Sequence, residues 1–258
     1  MSNLTVLLIE DESELLEYLR KSLSGYFKKI LTANDGEKGL LQINNYHPDI
    51  VISDVMMPKM NGYELCKQIK SDVSISHTPV ILLTALAGDE DVLTGYKLGA
   101  DMYVSKPFDI DLLLTIVSNI IKSRNEIKQR FKSFSSDIKL EQVTFSNADE
   151  VFLSKFTSII EEKLDESEMD MNWFAQEMAM GRTTFYNKVK AITGLSANAF
   201  IVDYKVKKAF NLLQHTDLPI IDIAMMLGFT SQRYFSTVFK QHTGTTPTQV
   251  RFDYRNEN

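Results

Sequence analysis

The chain has 258 residues, which favours two domains of ordinary size, and its 44% hydrophobic and 24% charged residues are typical of globular proteins. No apolar run approaches the roughly 18 residues that cross a bilayer, and the N-terminal apolar stretch lacks the basic flank of a signal peptide. The single cysteine, Cys66, excludes a disulfide framework and favours a cytoplasmic location. Residues 172–258 hold ten basic and six acidic residues, which leaves 18 and 28 elsewhere. This asymmetry indicates a cation as partner of the acidic part and nucleic acid as partner of the basic part, with ordinary solvated surface as the alternative.

Short apolar runs in the first half predict β-strands, and each is followed by a stretch with helical periodicity. This alternation predicts a parallel sheet covered by helices on both faces. Asn61 is a predicted helix N-cap and Gly99 a predicted helix end, after a helix at 88–98. The last helix of this half is predicted to run to about Lys132. The five predicted strands are 6–9, 29–32, 50–53, 80–84 and 101–105.

Polar residues follow the ends of four of these strands. Glu10 and Asp11 follow the first strand, Asp54 follows the third, Thr84 ends the fourth and Lys106 follows the fifth. Ligands of such sheets bind beyond the carboxyl ends of the strands. Carboxylates there suit Mg²⁺, and a carboxylate beside a lysine can accept a phosphoryl group. Solvated loop acids are the alternative for Glu10 and Asp11 alone, but complementary groups at four strand ends favour a phosphoryl-accepting site.

Four sequence segments identify a family for the first half. They are LLIEDE at 7–12, SDVMMPKMNGYELC at 53–66, VILLTA at 80–85 and GADMYVSKPF at 99–108. With them, residues 4–123 resemble a receiver domain of the α/β flavodoxin-like fold, a doubly wound five-stranded parallel sheet. The resemblance implies that Asp54 is the phospho-acceptor and that its phosphoryl group comes from a histidine kinase.

The same resemblance implies roles for the other residues of the site. Asp11 and Asp54 would bind Mg²⁺ directly, Glu10 would act through water, and the carbonyl of Met56 would complete the protein ligands. Glu10 stands where many members of the family have Asp, a change that should not abolish metal binding. The other implied roles are a switch hydroxyl on Thr84, a rotating aromatic ring at Tyr103, a phosphate-pairing cation at Lys106 and a cis Lys106–Pro107 bond.

The second half contains two similar helical segments, 172–194 and 220–244. Each has a short helix with a central alanine, a tight turn, a second helix with an apolar stripe, and a closing Thr-Gly pair. This order predicts two helix-turn-helix motifs, whose second helices enter the major groove of DNA. A long predicted helix at 197–215 separates the motifs, and it is about long enough to place them one turn of DNA apart. A helical stripe beginning at Val151 precedes them.

The polar faces of the two second helices carry the predicted DNA contacts. The alternative is a generic helical bundle, in which the aromatic and aliphatic stripes are simply core, and we assign the stripe residues themselves to the core. Residues suited to base edges are Thr183, Tyr186, Asn187, Lys190, Gln232, Arg233, Ser236 and Thr237. Predicted phosphate contacts are Arg182, Lys188, Lys205 and Lys240.

The second half also resembles a known family. FYNKVKAITGLSANAFI, DIAMMLGF and YFSTVFKQHTGTTPTQVR carry a similarity of residues 151–254 to AraC-type DNA-binding domains. Two departures lie in the first motif, where Ala179 and Gly181 replace the usual Gly and Ser, so we expect this motif to dock less firmly. The order of the two parts resembles the C-terminal portion of hybrid two-component sensors, which implies a histidine kinase partner that can be fused upstream.

These features predict a two-component transcription regulator that binds specific DNA under the control of phosphorylation. Its expected domains are a receiver at 1–125, a helix extension and linker at 126–150, and a DNA-binding domain at 151–258. We expect a homodimer on phosphorylation, no membrane contact and no enzymatic activity beyond slow loss of its own phosphoryl group. A phospho-aspartyl hydrolase would need an acid at Met56, and the four histidines lack metal-ligand spacing. The alternative function is a phosphorelay intermediate whose helical part binds protein.

Overall fold

The computed structural model describes residues 3–85, 99–132, 147–167 and 169–257. The chain divides into two compact units. The N-terminal unit is Met1–Asn125 with Phe145–Asp149, and the C-terminal unit is Glu126–Thr144 with Glu150–Asn258. The predicted helix at 88–98 and most of the predicted linker lie outside the described residues. No helix among the residues described is both long and apolar enough to cross a bilayer.

A parallel five-stranded sheet with the order β2-β1-β3-β4-β5 forms the centre of the N-terminal unit. This order reverses beside β1, which is the topological switch point of flavodoxin-like folds, so the predicted fold class is confirmed. The strands agree with the five predicted runs to within one residue at either end. They are β1 Thr5–Ile9, β2 Lys29–Ala33, β3 Ile50–Asp54, β4 Val80–Thr84 and β5 Met102–Ser105.

Helices cover both faces of this sheet, as the alternating pattern predicted. Successive strand residues point to opposite faces, so Leu7 and Ile9 lie in one apolar cluster and Val6 and Leu8 in the other. The predicted N-cap at Asn61 is confirmed, since its side chain accepts a hydrogen bond from the Glu64 amide in a capping box. The helices of this part are α1 Ser13–Leu23, α2 Gly36–Tyr46, α3 Gly62–Ser71 and α4 Ile110–Lys132.

Every element described in the C-terminal unit is a helix. The helix predicted from Val151 begins earlier, at Asn147, because its first turn is polar and gives no apolar stripe. Acids such as Asp149 are nevertheless favourable at a helix N-terminus. The long predicted helix at 197–215 is confirmed. The helices are α5 Asn147–Glu162, α6 Met171–Glu177, α7 Arg182–Thr193, α8 Ala197–His215, α9 Ile220–Met226, α10 Gln232–Thr243 and α11 Pro247–Glu257.

The two helix-turn-helix motifs repeat each other in hydrogen bonding as well as in sequence. In the turns, the Met180 amide donates to the Ala175 carbonyl and the Phe229 amide donates to the Ala224 carbonyl, both at 2.9 Å. Both second helices end at a left-handed glycine, at Gly194 (φ 72°) and Gly244 (φ 79°). Each motif therefore places an equivalent second helix after an equivalent turn.

Two separate cores hold these motifs. In the first motif, the buried ring of Phe156 lies 5.1 Å from that of Phe185 and 5.3 Å from that of Phe200. In the second motif, Phe235 and Phe239 pack on α8 and α9. Helix α8 contributes to both cores and is about 28 Å long at the usual rise per residue.

Candidate functional site

Three carboxylates meet at the carboxyl edge of the sheet, as the strand-end pattern predicted. Side-chain oxygens of Glu10, Asp11 and Asp54 all lie within 4.8 Å of one another. Glu10 is 2% exposed and Asp54 6%, whereas Asp11 is exposed. Two of the three charges are therefore held out of water, where they need a compensating positive charge.

Lys106 supplies part of that compensation. Its Nζ atom lies 2.8 Å from Asp54 Oδ1 and 2.9 Å from Glu10 Oε2. Lys106 is held there by the end of β5, because its backbone amide donates to the Thr84 carbonyl at 2.7 Å. Three carboxylates and one ammonium leave this cluster with a net negative charge.

The pKa shifts follow from the same geometry. Burial raises the pKa of the Glu10 carboxyl, the hydrogen bond from Lys106 lowers it in part, and the charge of Asp54 raises it again. Burial alone would lower the pKa of Lys106, but its hydrogen bonds to Asp54 and Glu10 outweigh that effect and raise it. The lysine therefore stays charged, while the Glu10 carboxyl gives up its proton less readily than an exposed glutamate does.

The loop that follows β3 lies close against the site. A Cβ atom at Gly62 would lie 2.3 Å from the Asp54 carbonyl oxygen, so only glycine lets the start of α3 approach this strand end. Across the loop, Lys59 Nζ lies 2.7 Å from Asp35 Oδ2. Met56, the predicted carbonyl ligand, lies in this loop with a side chain that is 64% exposed.

The remaining predicted residues of the site also lie at or near the carboxyl edge. Thr84 ends β4, is 3% exposed and pairs with Ser105 of β5. The Tyr103 ring packs half-buried beside Tyr63, with ring centroids 6.5 Å apart. The predicted cis bond between Lys106 and Pro107 is confirmed.

Sequence reasoning missed a largely buried charged cluster at the opposite end of the sheet. The carboxylate of Asp101 pairs with Lys70 at 2.7 Å and with Arg124 at 2.6 Å. Burial would raise the pKa of Asp101, but these two cations outweigh it and lower the pKa. The three residues belong to different elements with no common motif, so only the fold brings them together.

The first predicted DNA-contacting helix, α7, presents most of its predicted residues to solvent. Arg182, Thr183, Asn187 and Lys190 are exposed, and Tyr186 is half-buried. The Arg182 guanidinium lies over the Tyr186 ring, 5.6 Å from its centroid. One face of α7 therefore offers donors, acceptors and positive charge together.

The second predicted DNA-contacting helix, α10, lines an open cleft of about 570 Å³. Gln232, Arg233, Thr237 and Lys240 are exposed and Ser236 is half-buried. Sequence reasoning missed two residues of this cleft, Gln241 and Thr246. Thr246 repeats the capping role of Ser196, so alignment of the two motifs is the signal that would have found it. The cleft is lined by Arg233, Ser236, Thr237, Lys240, Gln241 and Thr246.

Two predicted phosphate contacts are wrong. Lys188 is fully buried, with its Nζ atom 5.8 Å from the centroid of the Phe152 ring. Lys205 is 6% exposed and donates to the Glu166 carbonyl at 3.0 Å. Both lysines face the interior of the C-terminal unit, so neither reaches a DNA backbone.

The two sequence departures in the first motif have structural counterparts. Ala179 takes the left-handed conformation at φ 53°, where the second motif has Gly228 at φ 68°. Gly181 caps α7 without a side-chain hydrogen bond, whereas Ser231 caps α10 through a bond from the Tyr234 amide. The start of α7 therefore lacks the side-chain cap that stabilises α10.

Comparisons with known families match both parts of the chain. Residues 6–118 match the response regulator receiver domain, and residues 174–252 match a helix-turn-helix domain. The first match covers the sheet and its acidic edge, and the second covers both helix-turn-helix motifs.

Similar proteins match either nearly the whole chain or about half of it. The chain is 36% identical over 250 residues to Histidine kinase P4 of Formosa agariphila, covering 97% of this chain and 18% of that protein. It is 42% identical over 123 residues to the probable transcriptional regulator ycf27 of Guillardia theta, covering 47% of this chain and 46% of that protein. The solved receiver domain of the Francisella response regulator 1452 is 32% identical, with a TM-score of 0.44, and the similarity covers 47% of this chain and 98% of that one.

The chain thus spans less than half the length of either of these two curated relatives. The first matched family covers the acidic sheet edge, and the second covers the paired helical motifs. The chain therefore contains a response regulator receiver domain at residues 6–118 and an AraC-type helix-turn-helix domain at residues 174–252.

Proposed function

We propose that the protein is a two-component transcription regulator that accepts a phosphoryl group on Asp54 and binds specific DNA through α7 and α10. The observation that carries the first part is the Lys106 ammonium held 2.8 Å from the Asp54 carboxylate among buried acids. In the transfer, an Asp54 oxygen attacks the phosphorus of a kinase phosphohistidine. The new O–P bond forms as the N–P bond breaks, and the imidazole leaves with its electron pair.

The other residues of the site have supporting roles in this proposal. Lys106 pairs with a phosphoryl oxygen, and the Thr84 hydroxyl donates a hydrogen bond to another. Tyr103 turns toward the space that Thr84 leaves. The kinase is either a separate protein or part of a longer natural chain, and the cytoplasm is the proposed location.

The residues of the acidic edge fit a Mg²⁺ ion. Glu10, Asp11 and Asp54 offer hard oxygen ligands within 4.8 Å of one another, and Lys106 balances only one of their charges. Asp11, Asp54 and the Met56 carbonyl would hold the ion directly, and Glu10 would hold it through water. Bound Mg²⁺ would offset the negative charge that develops on the phosphoryl oxygens.

Substitution at Asp11 tests the metal site. We expect Asp11→Ala to weaken Mg²⁺ binding by roughly tenfold or more, because affinity follows the number of ligand charges. Glu12→Ala is the matched control, since Glu12 is the next exposed acid along the chain and lies outside the cluster. Calorimetric titration with MgCl₂ compares the two variants, and equal losses in both would place the ion elsewhere.

DNA binding by the C-terminal unit is supported by the exposed polar faces of α7 and α10. Arginine and amide side chains bond to base edges in the major groove, and lysines pair with phosphates. We propose that both motifs contact one face of the duplex, about one helical turn apart. A phosphorelay intermediate whose helical part binds protein would not need these faces.

Arg233 and Lys240 should have different effects on DNA binding. Arg233 is exposed in the first turn of α10, where we expect it to contact guanine. Arg233→Ala should cost about 1–3 kcal/mol of binding free energy and relax one base position. Lys240→Ala should weaken all sequences alike and reduce the salt dependence by roughly one phosphate contact. Fluorescence anisotropy against single-base variants of the site measures both, and unchanged specificity in Arg233→Ala would contradict this docking.

Phosphorylation is proposed to act through dimerisation of the receiver. The charge added at Asp54 acts on Thr84, Lys106 and Tyr103, and hence on the surface formed by β5 and α4. A dimer on paired DNA sites gains affinity without new base contacts. Sedimentation with and without acetyl phosphate should therefore show a Mg²⁺-dependent shift from monomer to dimer that Thr84→Ala abolishes. Tighter DNA binding by the isolated 151–258 fragment than by the unphosphorylated chain would instead favour release of inhibition.

A further inference from the structure

The end of α5 and the loop after it contact both helix-turn-helix motifs. Midway along α5, Phe156 packs into the core of the first motif, where its ring lies 5.6 Å from that of Phe174. In the loop, the Lys163 ammonium lies over the Trp173 ring of α6, 4.8 Å from its centroid. Leu164, in the loop, packs against the apolar cluster of the second motif. The loop after α5 therefore has partners in both motifs.

Polar contacts tie the same segment to the long helix α8. The Tyr204 hydroxyl donates to one oxygen of the Glu161 carboxylate, and Lys208 pairs with the other. The buried Lys205 ammonium donates to the Glu166 carbonyl at 3.0 Å. Burial lowers the pKa of Lys205, and the charges of Asp165 and Glu166 offset only part of that shift. A buried ammonium is costly unless it has a hydrogen-bond acceptor, and the Glu166 carbonyl provides one. The bond therefore holds the loop against α8.

The turn of the second motif is packed against this loop. A Cβ atom at Gly228 would lie 2.4 Å from the Glu166 carbonyl oxygen and 2.8 Å from that of Leu164. The left-handed conformation alone does not demand glycine here, because Ala179 adopts it at the equivalent position of the first motif. Ala179 is exposed, so its methyl group has room. The close approach of the loop is therefore what excludes a side chain at Gly228.

We propose that residues 161–166 clamp the second helix-turn-helix motif against the first and so set the spacing between the two DNA elements that the chain contacts. This rests on the proposed DNA binding. The clamp residues touch no DNA and act by positioning α10 relative to α7. Their loss should change which spacing is preferred, while the preferred bases at each element stay the same.

Two variants test the clamp in the full chain. Gly228→Ala inserts a methyl group between turn and loop, and Lys205→Met removes the bond to Glu166 while keeping the bulk of the side chain. Binding is compared between duplexes that the wild-type chain selects and the same duplexes with the spacing changed by one base pair. We expect both variants to reduce the preference for the selected spacing by about tenfold. Ala179→Gly and Lys155→Met, which alter the open turn and an exposed lysine of α5, should keep the wild-type preference. Val238→Ala should keep it too, although it destabilises the second core.

A distance measurement tests the clamp without DNA. Spin labels on Asn187→Cys and Thr237→Cys, both at exposed sites, report the separation of α7 and α10 by pulsed electron resonance. Cys66 is the only native cysteine, and burial raises the pKa of its thiol to about 11, so it should not label. We expect the narrow wild-type distance to shift or broaden in Gly228→Ala and Lys205→Met. Unchanged distances in both variants would overturn the clamp, whereas failure of the wild-type chain to select any DNA would overturn the proposed function.

Discussion

Asp54→Asn should accept no phosphoryl group from acetyl phosphate in the presence of Mg²⁺, while the wild-type chain gains one. An amide oxygen is a far weaker nucleophile than a carboxylate, and the neutral side chain also loses its ion pair with Lys106. The substitution keeps the shape of the side chain, so β3 and the sheet should form normally.

Intact-mass spectrometry measures this result directly. Asp35→Asn is the matched control, because Asp35 is buried like Asp54, follows the end of β2 and pairs with a lysine, Lys59. Its amide oxygen can still cap α2, so this variant should accept a phosphoryl group as the wild type does. A full adduct on Asp54→Asn, or none on Asp35→Asn, would show that the wrong carboxylate has been assigned.

Phe156→Ala should unfold the first helix-turn-helix motif at much lower denaturant concentration than the wild-type chain requires. The ring is completely buried and contacts four other phenylalanines, so its loss removes apolar contact and leaves a cavity. We expect a cost of about 3–5 kcal/mol in the free energy of unfolding. The four neighbours are Phe152, Phe174, Phe185 and Phe200.

The only tryptophan of the chain makes the unfolding of the first motif measurable. Trp173 lies next to Phe174, with ring centroids 5.1 Å apart, so its fluorescence during urea unfolding reports on this core. Phe252→Ala is the control, because Phe252 is 61% exposed and should cost less than about 0.5 kcal/mol. Similar midpoints for Phe156→Ala and Phe252→Ala would mean that the aromatic cluster does not hold the motif together.

The strands and the acidic edge could be predicted from the sequence because their signals are local. Each strand is a short and largely apolar run, and the carboxyl ends of parallel strands share an edge, so Glu10, Asp54 and Lys106 were expected to meet. The fold adds what local patterns do not contain, namely that Lys106 bridges both carboxylates and that Gly62 packs against the carbonyl of Asp54.

Errors arose where burial depends on a distant part of the chain. Lys188 and Lys205 have polar side chains on amphipathic helices, and each was assigned to a DNA-facing surface. Their burial depends on α5 and the loop after it, which approach from earlier in the chain. The Asp101 cluster was missed for the same reason, since Lys70 and Arg124 lie far from it in sequence.

The affinity of the full chain for its selected DNA, with and without phosphorylation, tests most directly whether the receiver controls the DNA-binding domain. We expect acetyl phosphate with Mg²⁺ to raise the affinity of the wild-type chain by roughly a hundredfold, through the avidity of a dimer on paired sites. Asp54→Asn should bind with the low affinity of the unphosphorylated chain under both conditions. Equal affinity of the wild-type chain before and after phosphorylation, or the same gain in Asp54→Asn, would show that phosphorylation of Asp54 does not control DNA binding.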